Sequence, residues 1–230
     1  MLPDFSTRSD ESERIDDADL DGEPLRKELQ AVDRFNRWFG GVRASTAGLA
    51  SLVPDSRRAL RILDVGTGGG ALARRLFDWA DERGHDPKLH GIDLLDGAID
   101  LARRRHGDVE GLTFAADDLF ELDRRFDVVH ASLVLHHFPG ERAREALARM
   151  RELADVGVVV NDLHRHPVHY GASRVVAPLV TSSEIARHDG PLSILRSFTR
   201  PELEQLAVRA GFDHADITWK MPFRWVLTGA

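Results

Sequence analysis

Cysteine is absent from all 230 residues, which excludes disulfides, thiolate metal sites and cysteine nucleophiles. Long apolar runs are absent too. None approaches the ~18 residues of a membrane-spanning helix, and no apolar signal-peptide core opens the chain. The expectation is a cytoplasmic protein with no membrane partner. Lysine and arginine form no basic run longer than Arg103–Arg105, which speaks against nucleic acid as the partner. Internal repeats and low-complexity segments are also missing.

What is present is unevenly charged. Residues 1–24 carry nine acids against Arg8 and Arg14, and that excess accounts for the whole formal charge of −7. Residues 25–230 are formally neutral, so the expected organisation is an acidic arm over 1–24 followed by a single domain. Composition favours a solvated, flexible arm. A lid over a pocket is the alternative.

Leu25 to Leu52 reads as helix, with Phe35, Phe39 and Val42 near helical spacing and a break at Gly40-Gly41. Strand-like and helix-like segments then alternate: strands over 61–65, 88–92, 112–115, 126–131 and 156–160, and helices over 70–83, 96–105 and 141–153. That order predicts a parallel sheet covered on both faces. "VGVVV", Val156 to Val160, is as apolar as a strand buried on both sides requires. Later segments read as an irregular helix over 175–186, an ordered loop over 187–198 and a helix over 201–210. Two strands follow about Met221-Pro222. Trp38, Phe39, Trp79, Trp219, Phe223 and Trp225 are expected in the core or between helices, with Phe35 and Phe39 as alternative roofing for a pocket.

"RILDVGTGGGALARRL", Arg61 to Leu76, sets glycines between a strand and a helix. Bare backbone there lets a ligand approach closely, beside the unpaired N–H groups of a helix start. Two ligand classes fit. Gly66-x-Gly68-x-x-Ala71 satisfies the dinucleotide fingerprint, with Asp93 as the ribose-binding acid. Asp64-x-Gly66-x-Gly68-x-Gly70 sets a carboxylate beside the loop, which repels a pyrophosphate and tolerates a ligand carrying ammonium and sulfonium.

In the second pattern the chain resembles class I S-adenosylmethionine-dependent methyltransferases, similar to the small-molecule ubiquinone/menaquinone-biosynthesis type, from about residue 29 onward. The resemblance implies an α/β, Rossmann-like, doubly wound and mostly parallel seven-stranded sheet with an antiparallel C-terminal strand. It implies S-adenosylmethionine as cofactor, held by Asp64, Gly66, Thr67, Gly68 and Gly70. Asp93 and Leu94 follow in "GIDL", Asp118 and Leu119 in "FAADDL", and Ser132 ends the fourth strand. No Asn/Asp-Pro-Pro-Tyr/Phe motif ends that strand and no double-glutamate loop occurs, which counts against nucleic-acid bases and protein arginine as substrates. The implied partner is a small-molecule acceptor, phenolic, quinone-like or polyketide-like, methylated on oxygen, with carbon as the second choice, by a monomer or homodimer. The alternatives are a nicotinamide-dependent oxidoreductase and a non-catalytic S-adenosylmethionine-binding protein.

His136 and His137 lie just beyond the fourth strand, and histidine is the side chain suited to taking a proton near neutral pH. They are the candidate catalytic bases, with hydrogen bonding to the loop or packing near the cofactor as the alternative. "VVNDLHRHPVHYG" ends the fifth strand at the ligand-binding edge and offers Asn161, Asp162, His164 and Tyr170 as acceptor contacts. It opens an expected lid insertion over 162–198. His164, His166 and His169 have no clear carboxylate partner, so no metal site is expected. His188-Asp189-Gly190-Pro191 reads as a turn, and Arg196 as an exposed side chain.

Overall fold

The computed structural model describes residues 3–17, 20–55 and 59–230. The first two helices are α1 (Gly22–Trp38) and α2 (Gly41–Leu52), parted where Gly40 takes a φ of 73°. Then come β1 (Ala59–Val65), α3 (Ala71–Glu82), β2 (Asp86–Asp93), α4 (Asp96–His106), β3 (Leu112–Ala116) and β4 (Phe126–Ser132). The chain continues through α5 (Gly140–Leu153), β5 (Ala154–Leu163), α6 (Pro167–Val180), α7 (Glu184–Arg196) and α8 (Arg200–Arg209). It ends with β6 (Ala215–Lys220) and β7 (Arg224–Gly229).

The strands form one seven-stranded sheet in the order β3-β2-β1-β4-β5-β7-β6. β7 runs antiparallel to both its neighbours and all other pairings are parallel. This is the Rossmann-like methyltransferase architecture. Alternation along each strand feeds two cores. Ile62, Val128, Val159 and Val226 face Leu49 of α2, Leu76 and Trp79 of α3 and Ile99 of α4. Their neighbours Leu63, Val129, Val158 and Leu227 face Leu147 and Met150 of α5 and Leu203 of α8. Complete burial of such a side chain is worth about 1.5–3 kcal/mol, so both faces of the sheet are stabilised strongly.

Three expectations need correction. Residues 187–198 are no loop, because α7 runs from Glu184 to Arg196 with Pro191 inside it. The Ser183 hydroxyl caps it by accepting from the Ala186 N–H at 3.1 Å, while Leu192 and Ile194 are buried. The helix expected over 175–186 is displaced: α6 begins at Pro167 and stops at Val180. Trp79 and Trp225 are buried, but Trp38 and Trp219 are exposed.

The described part of the arm is exposed at most of its acids yet docked on the domain at Glu13–Ile15. Residues 1, 2, 18 and 19 lie outside the description, and Asp10 and Glu11 are exposed. Glu13, however, is 4% exposed, and its carboxylate accepts from the Ser193 hydroxyl at 2.7 Å. Asp189 of α7 accepts from the backbone N–H groups of Arg14 and Ile15 at 3.1 and 3.0 Å. These contacts hold the arm against α7. Among the described residues no helix is long and apolar enough to cross a membrane.

Candidate active site

β1 and β4 pair in a register that puts Asp64 beside His130, and β4 and β5 pair Ser132 with Asn161. From these registers a buried polar chain grows under the glycine turn. Asp64 accepts from the Thr67 hydroxyl and from His130 Nδ1, both at 2.7 Å. An ionised carboxylate only accepts, so Nδ1 carries the His130 proton. His130 Nε2 meets Ser45 Oγ of α2 at 2.8 Å. Asn161 Nδ2 donates to the same Ser45 oxygen at 2.9 Å and to Gly41 O at 3.0 Å. Asp64 therefore acts inward, fixing Thr67 and with it the turn.

The turn needs glycine at two positions for identifiable reasons. Gly66 has a φ of 64°, and a Cβ there would lie 2.4 Å from Val134 Cγ2. Gly70 has a φ of 76°, and a Cβ would lie 2.9 Å from the Phe114 ring. The loop after β4 thus rests directly on the glycine turn.

Asp93 ends β2 and faces that turn. Its carboxylate accepts from the Gly68 N–H at 2.9 Å and the Leu95 N–H at 3.1 Å. Burial raises its pKa, against the lowering effect of those two bonds. Leu94 beside it is exposed. Asp118 accepts from the Phe120 N–H at 2.9 Å, and Leu119 is buried in the core beneath. The hydrogen bonds described for Asp64 and Asp93 come from Thr67, His130, Gly68 and Leu95, and none from a lysine or arginine. Carboxylates at the ends of β1 and β2 and just past β3 suit a cationic nucleoside better than a pyrophosphate. The donor set is compatible with S-adenosylmethionine, for which the turn would hold the methionine end, Asp93 the ribose and Asp118 the adenine.

Beyond Ser132, Leu133 takes a φ of 59°, unusual for a branched residue, and Leu135–His137 form a single 3-10 turn. His136 is buried, and its Nδ1 lies 2.6 Å from Asp162 Oδ1. Asp162 Oδ2 accepts from the backbone N–H of His136 at 3.0 Å. Burial alone would raise the Asp162 carboxyl, yet His136 and the Leu163 N–H hold it below the ordinary carboxylate range. His137 Nδ1 lies 2.6 Å from Asp16 Oδ1.

The arm completes this side. Arg8 donates to the carbonyls of His136 and Phe138 at 3.0 and 3.1 Å, and Arg196 donates to that of His137 at 2.7 Å. Arg196 is therefore buried and clamps the loop, where sequence placed it in solvent. Burial lifts the Glu13 carboxyl to about 7 against the lowering effect of His137, Ser193 and Arg196.

The other residues expected to contact the acceptor have these partners within the chain. Asn161 has 0% exposure and is committed to α2 and Arg224. Asp162 holds His136. Tyr170 packs edge-on against Phe5, ring centroids 5.6 Å apart. His164 lies against Trp225 at 4.8 Å, while His166 and His169 stack on Phe223 at 5.4 and 5.0 Å. Sequence reasoning missed His130, Glu13, Asp16 and Arg8. His130 alone left a signal, a histidine inside the otherwise apolar "FDVVHAS".

The sheet order and the acid-flanked glycine turn are those of the class I S-adenosylmethionine-dependent methyltransferase fold. Residues 63–160 match the family described as "Methyltransferase domain". The chain is 38% identical over 120 residues, 50% of its length, to a probable non-canonical nonribosomal peptide synthetase, CymA, of Salinispora arenicola. It is 36% identical over 87 residues, 36% of its length, to the malonyl-(acyl-carrier protein) O-methyltransferase of Acetivibrio thermocellus. The aligned stretches span only 2% and 29% of those relatives. Among solved structures, human N-acetylserotonin methyltransferase in complex with S-adenosylmethionine superposes with a TM-score of 0.65 at 17% identity, covering 90% of this chain and 55% of that one. The plantazolicin methyltransferase BpumL with S-adenosylhomocysteine gives 0.61 at 20% identity, covering 86% and 74%.

Proposed function

We propose that this chain moves the methyl group of S-adenosylmethionine to an oxygen of a small acceptor, phenolic, quinone-like or polyketide-like, and that His136 takes the acceptor's proton. The observation that carries the reading is the His136–Asp162 pair at 2.6 Å, set on the loop whose Val134 lies against Gly66. When bound, S-adenosylmethionine would supply an already activated methyl group, its sulfonium sulfur leaving as the neutral thioether. The chain's own contribution is alignment in a dry site and removal of one proton.

With Nδ1–H donated to Asp162, His136 keeps its lone pair on Nε2, the nitrogen facing Glu13. An acceptor hydroxyl takes the place of the Glu13 carboxylate there and gives its proton to Nε2 as its oxygen attacks. Asp162 holds the ring in that tautomer and balances the imidazolium that forms. The named relatives support a biosynthetic acceptor: one is an O-methyltransferase of a carrier-bound malonyl group, the other a probable peptide synthetase.

The test is an acceptor panel of phenols, quinols and polyketide-like acids, with product mass and S-adenosylhomocysteine release as readouts. His136→Ala should abolish turnover while S-adenosylhomocysteine still binds. Methylation at carbon, or full activity in that variant, would overturn the assignment. Binding of NADH in place of S-adenosylhomocysteine would overturn the cofactor reading as well.

A further inference from the structure

The contacts of Glu13, His136 and His137 are not explained by proton transfer alone. Each histidine has Nδ1 held by an aspartate, Asp162 for His136 and Asp16 for His137, both at 2.6 Å. Both protons are thereby fixed on Nδ1, and both Nε2 lone pairs are free to serve as ligands. Those two nitrogens face the two oxygens of a single carboxylate. His136 Nε2 lies 3.5 Å from Glu13 Oε1, and His137 Nε2 lies 4.0 Å from Glu13 Oε2.

Such separations are too long for good hydrogen bonds. They are close to the edge of a tetrahedron built on metal–ligand bonds of about 2.0–2.2 Å, which measures roughly 3.3–3.6 Å. The three ligand atoms lie within 4.8 Å of one another. Glu13 Oε1 is buried with no hydrogen-bond partner, and a buried acceptor left in that state is destabilising. A ligating histidine whose other nitrogen is held by a carboxylate is also the usual outer-shell arrangement of a metal site.

Charge points the same way. Arg196 Nε approaches Glu13 Oε1 to 3.4 Å, and Arg8 lies on the neighbouring carbonyls. Against these two guanidiniums stand the carboxylates of Glu13, Asp16, Asp162 and Asp189, so a divalent cation brings the cluster toward neutrality.

We propose that Glu13, His136 and His137 form a site for a borderline divalent cation of the zinc type, closed when the arm docks, and that filling it fastens the arm over the active-site loop. Because the ion takes Nε2 of His136, the filled site and proton acceptance exclude one another, so zinc inhibits turnover. The inhibition rests on the proposed methyl transfer, but the binding does not.

The experiment titrates Zn2+ into the full-length, chelator-stripped chain, by calorimetry and by competition with a chromophoric chelator. Trypsin cleavage after the exposed Arg14 is followed in parallel. The expected result is one saturable site per chain and slower cleavage with zinc. Glu13→Gln should lose both effects. Asp16→Asn, on a half-exposed side chain, should weaken binding by about 10–100-fold. Absence of saturable binding, or affinity unchanged in both variants, would overturn the site. Binding that protects Arg14 and leaves methyl transfer uninhibited would overturn the exclusion. A chain that binds zinc and methylates nothing would leave the site standing and count against the function.

Discussion

Asp162 grips His136 twice, its Oδ1 on the ring Nδ1 at 2.6 Å and its Oδ2 on the backbone N–H at 3.0 Å. The tip of β5 thereby sets both the position and the tautomer of a histidine on the loop after β4. Orientation of this kind acts on the transition state and not on acceptor binding. Asp162→Asn should therefore lower kcat by about 10²–10⁴-fold while KM and S-adenosylhomocysteine affinity move little. Steady-state kinetics with a calorimetric binding control checks this, and a rise in KM at unchanged kcat would place Asp162 against the acceptor instead.

Asp93 supports the glycine turn through the Gly68 N–H, and in the proposed reading it also takes the ribose. Removing the carboxylate with Asp93→Ala costs the turn a charge-assisted bond and the cofactor its sugar contacts. Each such bond is worth about 1.5–3 kcal/mol. S-adenosylhomocysteine affinity should fall more than about tenfold, measured by calorimetry. Equal affinity in the variant would show that Asp93 serves the fold alone.

Most of the sheet was legible because its signals are local. Alternating strand and helix patterns, glycines at the β1–α3 turn and acids at strand ends all lie within short windows of sequence. The arm was not legible, because its partners are remote. Glu13 meets Ser193 across 180 positions and Arg8 meets the His136 carbonyl across 128. Composition read nine acids as solvated, and among the described ones only Glu13 is buried, against α7. Helix α7 was hidden for a related reason. Asp189, Leu192, Ile194 and Arg196 are all buried, so no single apolar stripe marks the helix, and His188 to Pro191 supplied false turn chemistry. Asn161 and Asp162 were correctly placed at the end of β5, but only the β4–β5 register shows that they face α2 and His136.

Glu28 of α1 gives the protein a pH dependence. It is buried, it accepts from the Ser183 hydroxyl at 2.7 Å, and burial lifts its carboxyl from 4.5 to about 7. The folded state therefore binds this proton more tightly than the unfolded one. The associated stability is fully present below pH 4.5 and is lost as pH rises through about 7. Glu28→Gln keeps an acceptor for Ser183 and removes the titration. Its Tm should match wild type near pH 4.5 and exceed it by a few degrees above neutrality, given about 2–4 °C per kcal/mol for a chain of this size. Parallel Tm–pH curves for the two proteins would show that Glu28 is not the source.

Gly66 tests the contact between the cofactor turn and the loop that carries His136. A Cβ there meets Val134 Cγ2 at 2.4 Å on a backbone with φ of 64°, so Gly66→Ala suffers a clash and a left-handed conformation together. The conformational part costs about 1–3 kcal/mol, and the clash pushes Val134, and with it the histidine loop, away from the turn. Gly66→Ala should lose stability and S-adenosylhomocysteine binding. Adding Val134→Ala removes the clash and leaves the φ penalty, so the double variant should regain part of the lost affinity and only part of the stability. A double-mutant cycle on Tm and Kd measures that coupling directly. Additive losses would mean that Val134 does not bear on Gly66, and the histidine loop would then be mechanically independent of the cofactor turn.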